Sequence, residues 1–93
     1  MRELTPIDTE LLRKACLRYL AMHHPSAHTA ASLAAVLQPR GLLDYTPAPD
    51  AIRSALHVLR DLGLATEVRS PIGAASYWSA TAAGKIEMER DSL

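Results

Sequence analysis

The sequence predicts a mainly α chain with one small β-hairpin: an α+β fold of three helices, a two-stranded hairpin and a short C-terminal helix. Apolar residues recur at three- and four-residue spacing as far as Leu62, and directly after Gly63 the period changes to strict alternation. Composition points the same way, because 48% of the residues are hydrophobic while Phe is absent. The core must then be built from Leu, Ile, Val and Ala, of which Leu and Ala favour helix. At 93 residues there is room for one core and too little for two, so residues 1–93 are read as a single domain.

The first helix starts at Thr5-Pro6-Ile7-Asp8, with threonine as N-cap, proline at the first helical position and an acid in the first turn. Asp8, Leu12, Ala15, Cys16, Tyr19 and Leu20 share a face, while Arg13, Lys14 and Arg18 fall elsewhere. Leu17 lies opposite that face, beside Arg13, and is expected to be exposed. The helix should run to about Met22 and stop at His23-His24-Pro25, because a proline disfavours helix at the residue before it.

Thr29 caps a second, short helix through Ala30, Leu33, Ala34 and Leu37, ended by Pro39 and Gly41. The loop that follows holds Leu42, Leu43 and Tyr45, which must fold back on the core or be covered by something else. Thr46-Pro47-Ala48-Pro49-Asp50 offers a second Thr-Pro start, with both prolines in the first turn. Ile52, Ala55, Leu56, Leu59 and Leu62 then follow on one face of a third helix, and Arg53, Ser54, His57, Arg60 and Asp61 on the other, before Gly63 supplies a left-handed cap.

Leu64, Thr66 and Val68 alternate with Ala65, Glu67 and Arg69, the pattern of a half-buried strand. Ser70-Pro71-Ile72-Gly73 reads as a turn, Ser76-Tyr77-Trp78-Ser79-Ala80 as the returning strand, and Thr81 as the cap of a last short helix through Ile86. The expected core is Leu12, Cys16, Tyr19, Leu33, Leu37, Ile52, Leu56, Leu59, Val68 and Trp78.

Two segments resemble winged helix-turn-helix regulators of the MarR and PadR type. Residues 50–64, ending in Leu62-Gly63-Leu64, look like their recognition helix and strand entry. Trp78-Ser79-Ala80-Thr81-Ala82-Ala83-Gly84-Lys85 is similar to their junction between strand and helix. The resemblance implies a winged helix whose third helix enters the DNA major groove, with Arg53, Ser54, His57 and Arg60 at the reading positions and Arg69 on the wing. The sequence departs from the pattern in two places. The connection from Gln38 to Tyr45 is longer than an ordinary turn, and the wing carries a single base, Arg69, with Ser79 where a basic residue is frequent.

Lysine and arginine total ten, as do aspartate and glutamate, so the whole chain is not a general polyanion binder. The bases are nonetheless concentrated: residues 11–60 carry Arg13, Lys14, Arg18, Arg40, Arg53 and Arg60 against Asp44 and Asp50. His23, His24 and His28 with Cys16 do not match zinc spacing, and Cys16 falls on a core face, so neither metal nor nucleophile is expected. No phosphate loop, nucleophile elbow or paired carboxylates appear, which argues against an enzyme or a bound cofactor. A single cysteine, no secretory leader pattern and no long apolar run place the chain in the cytoplasm. Two functions follow: a sequence-specific DNA-binding transcriptional regulator, working as a homodimer through its first helix and C-terminal segment, or a winged helix for protein contacts, an assembly or adaptor module of phage or mobile-element origin.

Overall fold

The computed structural model describes residues 6–69, 73 and 76–91. The elements run α1 (Pro6–Met22), α2 (Ala30–Val36), α3 (Pro49–Asp61), β1 (Ala65–Arg69), β2 (Ser76–Ala80) and α4 (Ala82–Asp91). Three helices precede an antiparallel hairpin and a fourth helix closes the described chain, as the sequence predicts. The expected Thr5 cap and the turn residues 70–72 lie outside the described residues.

Helix α1 is the centre of the fold, touching α3, α4 and β2. Leu12, Ala15, Cys16, Leu17, Tyr19, Leu20 and Ala21 are all buried, so α1 is covered on more than one side. Leu17, expected at the surface, is only 4% exposed. The reason is α4, which lies across that side of α1: a Cβ built on Gly84 would stand 3.1 Å from Leu17 Cδ1. The apolar spacing within α1 could not reveal a second covering element that sits some sixty residues later in the chain.

The Thr29 hydroxyl accepts the Ser32 amide at 3.1 Å and so caps α2, whose Leu33 and Ala34 are buried. After α2 the chain folds back on the helix end. The amides of Leu42 and Leu43 both donate to Leu37 O, at 2.9 and 3.3 Å, and the two side chains pack partly buried against the core. The long connection is thus tied down, with the Thr46 hydroxyl donating to Gln38 Oε1 at 2.6 Å.

Helix α3 begins two residues later than the Thr46 cap and Pro47 start expected from sequence. Its N-cap is Ala48, at φ −72° and ψ 144°, with Pro49 opening the helix. Pro49 disfavours helical ψ at the residue before it, so Ala48 cannot be inside the first turn. Ile52, Ala55, Leu56 and Leu59 are buried, but Leu62 is not. Leu62 is the C-cap, beyond the last helical residue, at the open end of the stripe. Gly63 at φ +78° then completes a Schellman closure: its amide donates to Arg60 O at 2.9 Å and that of Leu64 to Leu59 O at 2.9 Å.

The hairpin pairs Ala65 with Ala80, Glu67 with Trp78, and Val68 with Tyr77. Trp78 and Ala80 are buried, which makes Ala65 and Glu67 the inward members of β1 and turns Val68 outward. Val68 is 52% exposed, contrary to its expected place in the core. Register decides this: the bulkiest residue of the hairpin, Trp78, selects the inner face, and Val68 pairs across the strands with Tyr77 on the outer one. On its other side β2 is bridged by His28, whose amide and carbonyl exchange bonds with those of Trp78 at 2.8 and 2.7 Å. No helix among the described residues is long and apolar enough to cross a membrane.

Candidate nucleic-acid interface

Thirteen residues of α3 present two faces, one packed on α1 and α2, the other open to solvent. Arg53, Ser54, His57 and Arg60 all lie on the open face, as their three- and four-residue spacing requires. Arg69 is exposed on β1, in the hairpin that follows α3. The five residues singled out from sequence therefore sit on one helix face and the adjoining strand.

Their surroundings are more acidic than the spacing implies. Arg53 pairs with Asp50 one helical turn earlier. Arg60 directs Nη1 to Glu67 Oε1 at 3.1 Å and Nη2 towards Asp61 Oδ1 at 3.6 Å. Around Arg53, Arg60 and Arg69 thus stand Asp50, Asp61 and Glu67, an equal number of opposite charges. Asp50 and Asp61 are well exposed, and ion pairs of that kind contribute about 0–1 kcal/mol and yield readily to a competing ligand.

Glu67 differs, because its side chain is only 16% exposed. Its carboxyl is held below the usual carboxylate range, first by a hydrogen bond from Ser76 across the hairpin, then by Arg60 and by the charge of Arg69, with partial burial opposing them. His57 is exposed, yet its ring meets Trp78 edge-on at 5.1 Å between centroids. That contact ties the middle of the α3 face to the buried indole of β2. Sequence reasoning missed both Glu67 and Trp78 as members of this site. Alternation groups Glu67 with Ala65, but it is the pairing of Glu67 with the buried Trp78 that turns this set inward.

The other chemistry-bearing groups are placed apart from this face. Cys16 is fully buried, and burial pushes its thiol up to about 12, consistent with a small core residue. The His23 and His28 rings pack on Tyr19 with centroids 4.4 and 5.1 Å from it, while His24 Nδ1 lies 2.9 Å from Ala80 O. Among the described residues no group of three or more His, Cys, Asp or Glu side chains is arranged to hold a metal.

Neither a protein-family model nor a curated protein matches the sequence. Solved structures do match in fold. ZitR of Lactococcus lactis, a zinc-responsive MarR family member, superposes with a TM-score of 0.64 at 21% identity, over 98% of this chain and 53% of its own. MepR, a transcription regulator of the Staphylococcus aureus multidrug efflux pump MepA, gives 0.69 at 17% identity, over 87% and 53%. A structure concerned with the DNA recognition and protein interaction domains of HOP2 gives 0.59 at 23% identity, over 75% of this chain and 98% of its own. The chain thus spans about half the length of the ZitR and MepR chains. With its element order and hairpin, this likeness makes the fold a winged helix, the fold of those MarR-family structures.

Proposed function

We propose that this domain binds duplex DNA as a sequence-specific regulator, laying the open face of α3 in the major groove. The observation that carries the reading is the convergence of Arg53, Ser54, His57 and Arg60 on that face, with Arg69 on the adjoining hairpin. An arginine can bond guanine through two acceptors at once, and serine or histidine can bond base edges or phosphate. The domain's structural neighbours support the reading: MepR is a transcription regulator, and the HOP2 structure concerns DNA recognition. The role proposed is binding rather than catalysis; the chain's single thiol is buried, and burial raises its pKa, as suits a core residue. A homodimer would present two copies of α3 to paired half-sites.

The test is selection from a random-sequence duplex library, followed by anisotropy titrations on the enriched site. Affinity should fall steeply between roughly 50 and 200 mM salt, as counterion release requires. Arg53→Ala should cost about 1–3 kcal/mol and relax preference at one base position if it reads a base, or weaken all sequences alike if it holds a phosphate. No enrichment at low salt would end the DNA reading. A second reading, a winged helix for protein contacts, then takes its place, favoured by the matched charges around α3 and by the outward apolar pair Val68 and Tyr77.

A further inference from the structure

Arg60 is the basic residue at the last turn of α3, next to the hairpin, yet it faces protein carboxylates with both terminal nitrogens. Its two partners are unequal. Asp61 is 73% exposed and stands 3.6 Å away, whereas Glu67 is 16% exposed, comes to 3.1 Å, and belongs to a paired strand. The Arg60 side chain remains 42% exposed, so an outside anion can approach it while the less exposed Glu67 holds its Nη1. Resting on the reading that α3 meets duplex DNA, we propose that Glu67 is an internal stand-in for a backbone phosphate, which keeps Arg60 on the protein until a correctly seated duplex displaces it.

The chemistry follows from what an arginine can hold. Guanidinium donors form the same paired hydrogen bonds to a carboxylate as to a phosphate, so the two anions compete for one cation. Glu67 remains ionised at neutral pH, since Ser76, Arg60 and Arg69 all favour its charged form. On an arbitrary duplex the exchange gains little: one Arg–carboxylate pair is lost for one Arg–phosphate pair, and the freed carboxylate lies close to the incoming phosphate, where like charges repel. On a duplex whose base edges are already bonded by Arg53 and His57, the phosphate is delivered to Arg60 at a fixed position, and exchange becomes favourable. Glu67 therefore acts as a specificity determinant: it lowers affinity for the wrong sequence more than for the right one.

Four proteins decide this: the parent, Glu67→Gln, Arg60→Ala and the double variant, each titrated by anisotropy against a random-sequence duplex and against the selected site. Gln keeps the shape of Glu and removes its charge. The expected result is that Glu67→Gln binds the random duplex roughly tenfold tighter at about 50 mM salt. Its slope of log affinity against log salt should also steepen by about 0.9, the value for one more neutralised phosphate. In the Arg60→Ala background Glu67→Gln should bring less than about a twofold gain and no change of slope, a coupling that a double-mutant cycle reads directly. Glu87→Gln, on α4 beside Arg90, makes the same change in net charge away from this face and should not alter the slope. Equal gains from Glu87→Gln and Glu67→Gln would overturn the proposal, as would a Glu67→Gln gain of the same size in the Arg60→Ala background. If the parent binds and Arg53→Ala weakens it while Glu67→Gln changes nothing, the stand-in role falls and the DNA reading stands. If neither parent nor Glu67→Gln binds any duplex at low salt, both fall together.

Discussion

At the scale of single residues, His28 carries more than its exposed neighbours. Its backbone bridges Trp78, its ring packs edge-on to Tyr19 and His23, and its Nε2, like that of His23, is buried without a hydrogen-bond partner. Burial lowers its pKa from the ordinary 6.5, and the neighbouring His23 lowers it further. The folded chain therefore keeps His28 neutral where the unfolded chain takes up a proton, so the unfolded state binds more protons as pH falls through 6.5. Stability should be highest above about pH 7, decline through pH 6.5, and level off below the folded value. Urea melts between pH 7.5 and 5.5 test this, and His28→Gln should flatten that part of the profile; an unchanged slope in the variant would refute it. The window is distinct from that of Glu67, whose lowered pKa supplies stability present above its unfolded value near 4.5 and lost only at lower pH. Little of this was legible beforehand. The sequence places three histidines beside a proline, but their mutual packing depends on Trp78, fifty residues later, just as the outward turn of Val68 does.

At the scale of elements, the junction between the hairpin and α4 was legible, because its parts are local. Thr81 uses one hydroxyl twice: it accepts the Gly84 amide at 3.0 Å, capping α4, and donates to Gly63 O at 2.7 Å, closing the end of α3. Its own amide bonds Leu64 O at 3.0 Å. What spacing could not tell is why glycine follows three residues later. A Cβ on Gly84 would stand 2.0 Å from that same Leu64 carbonyl oxygen, a distance no side chain can occupy, so α4 rests directly on the backbone that links α3 to β1. Gly84→Ala should force the helix away, uncover Leu17 and destabilise the domain by about 3 kcal/mol, the upper end of ordinary overpacking. Ala is otherwise the better helix former, so a variant that melts at or above the parent temperature would contradict the close approach. The start of α3 gives the opposite lesson: two adjacent Xaa-Pro steps left its first turn ambiguous, and the backbone restriction before Pro49 settled it in favour of Ala48 as the cap.

At the scale of the whole molecule, the expected homodimer does not draw on Leu17, which α4 covers. Among the described side chains of α1, two other apolar ones are open to solvent: Leu11, 53% exposed, and Met22, 63% exposed. They stand eleven residues apart, which brings them back to nearly the same side of a helix about 16 Å apart along its axis. Beside Leu11, α1, the connection after α2 and Met88 of α4 line a trough that carries Lys14 and Arg18 together with Asp8 and Asp44. Met22 lines a second one with Lys85 and Glu89, and Arg18 and Met88 are common to both. Both charge signs beside exposed apolar residues suit a two-fold contact, in which basic groups meet acids of the other copy. Neither trough is lined by α3, so such a dimer leaves the proposed DNA face free in both copies. Sedimentation equilibrium at tens of micromolar should give twice the chain mass, falling to the single mass in Leu11→Lys and Met22→Lys, with circular dichroism unchanged because both positions are exposed. DNA binding by those variants should weaken on paired half-sites and persist on one. A parent that sediments as a monomer, with the same affinity for one half-site as for two, would remove the dimer and leave a single copy of α3 as the whole reading surface.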